Sequence, residues 1–218
     1  MDYKEIISNV EVYDLEKSLI ASGYPHRTKD IIHDFSPKDL ERGESLVYAT
    51  RKDNMAHAQF LTGIRVNFDL TFTIKAWTEA ERYRFLEFVS SQSTMHRITQ
   101  FNLEAQYNEY VDPRIIAIMQ EKVDQYNFIE KSLKETPAED EYNRKRLTKL
   151  KEQKFLEIIY SNPTGFKLTA RMTTNYRCLR NIYIQRKDHR LPEWRAFCEW
   201  IETLPYADIF LTNIEWEN

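Results

Sequence analysis

The chain has 218 residues and a formal net charge of −3, with 42% hydrophobic and 30% charged residues and only four glycines. Those figures exclude a disordered or fibrous chain, and the negative balance argues against nucleic-acid binding through bulk electrostatics, which uses a basic stripe and a high pI. There is no apolar run of the roughly 18 residues a membrane span needs, and the opening MDYKEIISNVEVYD lacks a signal peptide's apolar stretch. A cytoplasmic protein with no membrane partner is expected, built as one domain over residues 1–218.

Turn signals at SGYP and FSPKD divide the first 60 residues into short elements. In IRVNFDLTF, Ile64, Val66, Phe68, Leu70 and Phe72 alternate with polar residues, which predicts a strand with one buried face. Trp77, Ala80, Phe85 and Phe88 predict a helix over 75–89, and the hydroxyl-rich SSQSTMHR that follows predicts a polar loop. Pro113 opens a helix reaching about residue 134. Thr136, Pro137 and Glu139 then read as N-cap, first position and reciprocal cap of a second helix, running to about residue 160. Its centre is nearly all charged, so 114–160 is expected to form a charged helical arm.

After SNPTG, Phe166, Leu168, Ala170 and Met172 alternate as a second strand, and TTNYRCLRNIYIQR continues as a helix. Pro192 opens a further helix with Trp194, Phe197, Cys198, Ile201 and Leu204 on one face, and YADIFLTNIEW reads as a closing strand. Cys178 and Cys198 have no CxxC spacing and are expected to be reduced, buried thiols. Neither His57 nor His96 has a metal partner at helical spacing, so no metal is expected. Trp77, Trp194, Trp200 and Trp216 read as core or interface residues.

The chemistry concentrates in TTNYRCLRNIYIQR. At about 100° per residue, Asn175, Leu179, Ile182 and Arg186 share one helix face, whereas Arg177 and Asn181 share another. Guanidinium groups grip phosphate or a uracil-like edge through paired donors, and a carboxamide offers a planar ring both donor and acceptor.

Thr173, Asn175, Arg177, Leu179, Asn181 and Arg186 resemble the T-x-N-x-R-x-L-x-N-F-x-x-x-R segment of the flavin-dependent thymidylate synthases, with Ile182 in place of Phe. AHAQFLTGIRVNF is similar to that family's G-H-x-S-x-L-E-H-x-x-F-T-F, matching at His57, Leu61 and Phe68, with Gly63 where the second histidine stands and Asn67 for the threonine. RYRFLEFVSSQSTMHR looks like a loosened R-H-R-x-x-S-x-N-E-x-S-x-R-Y: Arg82 and Arg84 are kept, Tyr83 replaces His, and the serines come later. The resemblance spans about residues 56–97 and 163–200.

It implies an α+β fold with a central, mostly antiparallel sheet flanked by helices, assembled as a homotetramer whose sites hold FAD, dUMP and a folate. It further implies that His57, Arg82, Arg84, Asn175, Arg177 and Asn181 contact the cofactor, and that Gln92, Ser93 and Arg97 contact the nucleotide. Arg186 looks like the arginine that binds and polarises the uracil ring. The implied activity is methylation of dUMP or a related pyrimidine nucleotide with methylenetetrahydrofolate and reduced FAD. A non-catalytic relative, keeping the fold and oligomer as a nucleotide-binding or protein-interaction module, is the alternative. A nucleic-acid surface built from Arg177, Arg180, Arg186, Lys187 and Arg190 ranks third, because no nucleic-acid-binding signature accompanies it.

Overall fold

The computed structural model describes residues 1–29, 31, 33–49 and 56–213. In chain order these form β1 (Ile7–Tyr13), α1 (Leu15–Ala21), α2 (Pro37–Ala49), β2 (Arg65–Thr73), α3 (Ile74–Ala80), β3 (Glu87–Ser91), α4 (Thr94–Arg97) and α5 (Leu103–Gln106). There follow α6 (Pro113–Glu135), α7 (Glu141–Ser161), β4 (Lys167–Asn175), α8 (Tyr176–Arg186), α9 (Pro192–Ile201) and α10 (Ala207–Phe210). The four strands make an antiparallel sheet in the order β1-β2-β4-β3. The chain folds as two compact units, one of Met1–Thr71, Ala76–Ser90 and Thr169–Asn218, the other of Phe72–Lys75 and Ser91–Leu168.

In the first unit the alternation of β2 is obeyed without exception: Ile64, Val66, Phe68 and Leu70 are fully buried, while Arg65 is exposed. Helix α9 covers that face. Phe68 meets Trp200 at 4.6 Å and Phe197 at 5.9 Å between ring centroids, and Trp194 packs on Phe197 at 5.7 Å. Aromatic rings dominate such a core because each removes a large apolar area from water and adds edge-to-face attraction. β1 pairs with β2 through a bulge between Ser8 and Glu11, where Asn9 takes φ 50°. Arg171 on β4 ties the bulge down, donating to the Asn9 carbonyl at 2.6 Å and to Glu11 at 2.7 Å.

Asp39 anchors the amino-terminal helices. Its carboxylate is 1% exposed and accepts from Arg42 at 2.6 Å, the Ser36 hydroxyl at 2.8 Å and His33 at 3.0 Å. Burial opposes its ionisation, but the donors from Arg42, Ser36 and His33 outweigh that and hold the carboxyl well below the usual range. Gly43 of α2 lies so close to Leu19 that a Cβ would come within 2.6 Å of its methyl carbon. Gly63, where the resemblance would have a histidine, is equally confined: a side chain there would run into the Ser18 hydroxyl.

The second unit has its own core of Ile98, Leu103, Tyr107, Met119, Val123, Ile158 and Phe166. The charged helices α6 and α7 therefore contribute apolar residues to that core, and they pack together through Tyr126 on Phe155 and the Lys151–Glu130 pair at 2.7 Å. Asp112 caps α6 by accepting from the Arg114 amide.

Four sequence expectations are corrected. The helix expected over 75–89 stops at Ala80, and Glu87–Ser91 is instead the edge strand β3; Phe88 and Val89 reflect strand propensity, while Phe85 lies in the turn before it, where the Thr174 hydroxyl donates to its carbonyl at 2.8 Å. SSQSTMHR is accordingly strand, break and the short α4 rather than one loop. Thr136 is the C-cap of α6 rather than an N-cap; Asp140 caps α7, accepting from the Asn143 amide at 3.1 Å. The closing strand is helical over α10, and its continuation, with Trp216, lies outside the described residues. Trp77, Trp194 and Trp200 are buried, as are the free thiols Cys178 and Cys198.

Two outcomes follow. Trp200→Ala, measured by chemical denaturation, is expected to cost about 3–5 kcal/mol through loss of the β2–α9 ring contacts. Asp39 has a depressed folded pKa, so its contribution is present above the unfolded carboxylate value of about 4 and is lost as pH falls through the folded one. Acid unfolding of Asp39→Asn should therefore show a flatter dependence than wild type below about pH 4, and an unchanged profile would remove Asp39 from the account.

Candidate functional site

The sequence builds the site at one joint, where β4 becomes α8. Asn175 ends the strand in extended conformation, and its side-chain oxygen accepts from the Cys178 amide at 2.9 Å, an N-cap that starts the helix there. The helix then sorts its residues by face. Tyr176, Leu179 and Ile182 go into the core, Tyr176 donating its hydroxyl to the Pro205 carbonyl at 2.9 Å, while Arg177, Asn181 and Ile184 look outward. That partition is the one the helical spacing predicts.

The outward face lines a cleft of about 840 Å³. Five arginines reach it: Arg177 and Arg180 from α8, Arg65 from β2, and Arg82 and Arg84 from the turn after α3. Asn175, Asn181, Gln59 and Thr62 add neutral polar groups, and Tyr83, Phe85, Cys178 and Ile184 supply apolar surface. Among the described residues, no carboxylate lines it. Phe85 is 53% exposed with the Arg84 guanidinium 5.6 Å from its ring, an aromatic face available for stacking. Arg180 is otherwise buried and donates to the carbonyls of Phe210 at 3.1 Å and Asn213 at 2.9 Å, which fixes the chain after α10 against α8.

Of the expected cofactor residues, Arg82, Arg84, Asn175, Arg177 and Asn181 come together in this cleft. His57 lies on the 3-10 segment Ala56–Thr62, of which Gln59 and Thr62, but not His57, line it. Gln92, Ser93 and Arg97 belong to the second unit; Ser93 is the N-cap position of α4, and Arg97 donates to Gln100 at 2.6 Å. Sequence alone did not mark Arg65, Gln59 or Phe85 as site residues, and marked Arg180 only for a nucleic-acid surface. Arg65 was legible as an outward position of the β2 alternation, whereas Gln59 and Phe85 join only through tertiary packing.

Arg186 does not line the cleft. Its Nη1 pairs with Glu79 at 2.8 Å and bonds His189 at 2.8 Å, its Nε donates to the Tyr83 hydroxyl at 2.8 Å, and its guanidinium lies 4.9 Å from the Trp194 ring. Burial raises the Tyr83 phenol above its ordinary range, against the opposing pull of this guanidinium. Cys178 sits at the cleft wall, but burial raises its thiol too, and burial pushes Cys198 up to about 12, so neither is a ready nucleophile. Among the described residues no cluster of His, Cys, Asp or Glu could hold a metal, and no helix is long and apolar enough to cross a membrane.

No protein-family model and no curated protein sequence matches the chain. Two solved structures of the flavin dependent thymidylate synthase ThyX from Helicobacter pylori, both complexed with FAD and dUMP, are similar to it. One has a TM-score of 0.63 at 16% identity over 93% of this chain and 98% of that one; the other has 0.62 at 16% over 97% and 98%. This chain therefore has the fold of the flavin-dependent thymidylate synthases, at a sequence distance that carries the fold alone.

Proposed function

We propose that the chain is a diverged flavin-dependent thymidylate synthase-like protein that binds FAD and methylates dUMP or a related pyrimidine nucleotide, with methylenetetrahydrofolate as the one-carbon donor. The observation that carries this reading is the cleft itself: five guanidinium groups, carboxamides and an exposed aromatic ring, with no carboxylate among its described lining residues. That donor set suits a diphosphate joined to planar heterocycles, because phosphate oxygens take paired N–H donors and a ring takes the apolar wall. The likeness in fold to proteins crystallised with FAD and dUMP supports the same ligands.

In this reading Arg82 and Arg84 hold phosphate, Arg177, Asn175 and Asn181 hold the flavin, and Phe85 and Ile184 give its ring an apolar surface. The family resemblance also marks His57 for the cofactor and Gln92, Ser93 and Arg97 for the nucleotide. Reduced flavin, when bound, supplies the hydride of the methylation. The chain itself orients the ligand and concentrates positive charge where oxyanions lie. Such a protein acts in the cytoplasm as a homo-oligomer, a tetramer by the resemblance.

One observation favours a second reading, a relative that binds flavin or nucleotide without transferring the methyl group. Arg186, the candidate to polarise the pyrimidine, lies outside the cleft lining, with its Nη1 held by Glu79 and His189 and its Nε by Tyr83. The two readings separate by experiment. FAD added to the purified protein should survive desalting and show the flavin absorbance bands, and Arg84→Ala or Arg177→Ala should each weaken FAD binding about tenfold or more, the worth of a charge-assisted contact. Absence of any FAD binding would reject the enzyme and leave the binding relative, which titration with dUMP then tests. Retained flavin with dUMP methylation supports the enzyme, and retained flavin without methylation under reducing conditions with the folate supports the binding relative.

A further inference from the structure

Three carboxamides line the cleft, and each could in principle turn either its oxygen or its NH2 group to a ligand. The hydrogen bonds decide which. Arg186 has only donors, so when its Nε meets the Tyr83 hydroxyl at 2.8 Å the phenol oxygen must accept. The phenol's single proton then goes to its other partner, Gln185, 2.9 Å away, which must receive it on Oε1. The remaining Gln185 nitrogen lies 3.0 Å from the Asn181 side chain and must donate, which makes the contacted Asn181 atom its oxygen. The polarity of the chain Arg186 to Tyr83 to Gln185 to Asn181 is thereby fixed from one end.

The other two carboxamides are settled as simply. A backbone N–H, Cys178, occupies the Asn175 oxygen at 2.9 Å, and the Arg177 guanidinium occupies the Gln59 oxygen. Each of the three oxygens already accepts a bond inside the protein.

We infer that Gln185 is a positioning residue, turning Asn181 so that its NH2 group is what a ligand meets, and that this part of the cleft favours a ligand edge that accepts hydrogen bonds. Resting on the cleft reading above, this names the chemistry of the contacting edge: phosphate oxygens and ring carbonyls rather than exocyclic amines. Gln185 falls at an unspecified position of the motif that the family resemblance matches, and it does not itself line the cleft. Its effect on binding runs through Asn181.

The test has two parts on the full-length protein. In nitrogen-15-labelled protein, the side-chain NH2 protons of Gln185 should exchange with water more slowly than those of Asn181, the signals being assigned by their loss in Q185E and N181D. Tyr83→Phe should shrink that difference, because it frees the Gln185 oxygen to turn. Slower exchange at Asn181 than at Gln185 would overturn the assigned polarity. In titrations with FAD, Asn181→Asp replaces donors by acceptors and should weaken binding about tenfold or more. Gln185→Glu still accepts from Tyr83 but has nothing to donate, so Asn181 turns its NH2 toward the new carboxylate and its oxygen toward the ligand. A loss of about fivefold or more is expected. Unchanged FAD binding by Q185E, with binding lost in N181D, would overturn the positioning role while leaving the cleft intact. If wild type binds no FAD, the cleft reading fails, and the amide exchange still decides the orientation.

Discussion

The bond from the Cys178 amide to the Asn175 side chain is the constraint on which the site depends. It ends β4 and begins α8 within one residue, so the helix starts at a fixed rotation relative to the sheet. From that rotation Leu179 and Ile182 fall into the core while Arg177 and Asn181 face the cleft, four residues and about one turn apart. Were the cap lost, the first turn would be free to fray and the polar face would lose its register. Asn175 is itself buried and lines the cleft, so one side chain serves both the fold and the site.

The cleft's second property is its cost. Five guanidinium groups without a carboxylate among the lining residues repel one another, and a folded protein tolerates that where a ligand relieves it. The protein limits the expense through internal acceptors. Arg180 is tied to the carbonyls of Phe210 and Asn213, Arg177 to Gln59, and Arg65 to Thr173 at 3.4 Å. These partners are carbonyl, carboxamide and hydroxyl oxygens, which solvate the guanidinium charge locally. Arg186 is the contrast: paired with Glu79 and stacked on Trp194, it is neutralised and held behind Tyr83.

Much of this was legible in the sequence for a definite reason. The β2 and β4 alternations and the α9 stripe have strong periods, and Pro113 and Pro192 mark true helix starts. The polar set on α8 could be seen because helical spacing alone separates its faces. What failed were boundaries decided by distant partners. Residues 81–91 carry a mixed pattern, and pairing of β3 with β4 overrides the helical reading; the cap expected at Thr136 falls instead to Asp140, four residues on. Gln59, Phe85 and Gln185 join the site from separate segments, or through a hydrogen-bond chain, and no local pattern announces such a meeting. The commitment of Arg186 was hidden for the same reason, since Glu79 lies more than 100 residues away in sequence.

The most direct test of the account is a crystal structure of the protein grown with FAD. The account requires the diphosphate within hydrogen-bond distance of arginines of the cleft, and a carbonyl or phosphate oxygen facing the Asn181 NH2 group. FAD bound elsewhere, or an amine of the ligand against Asn181, would contradict it.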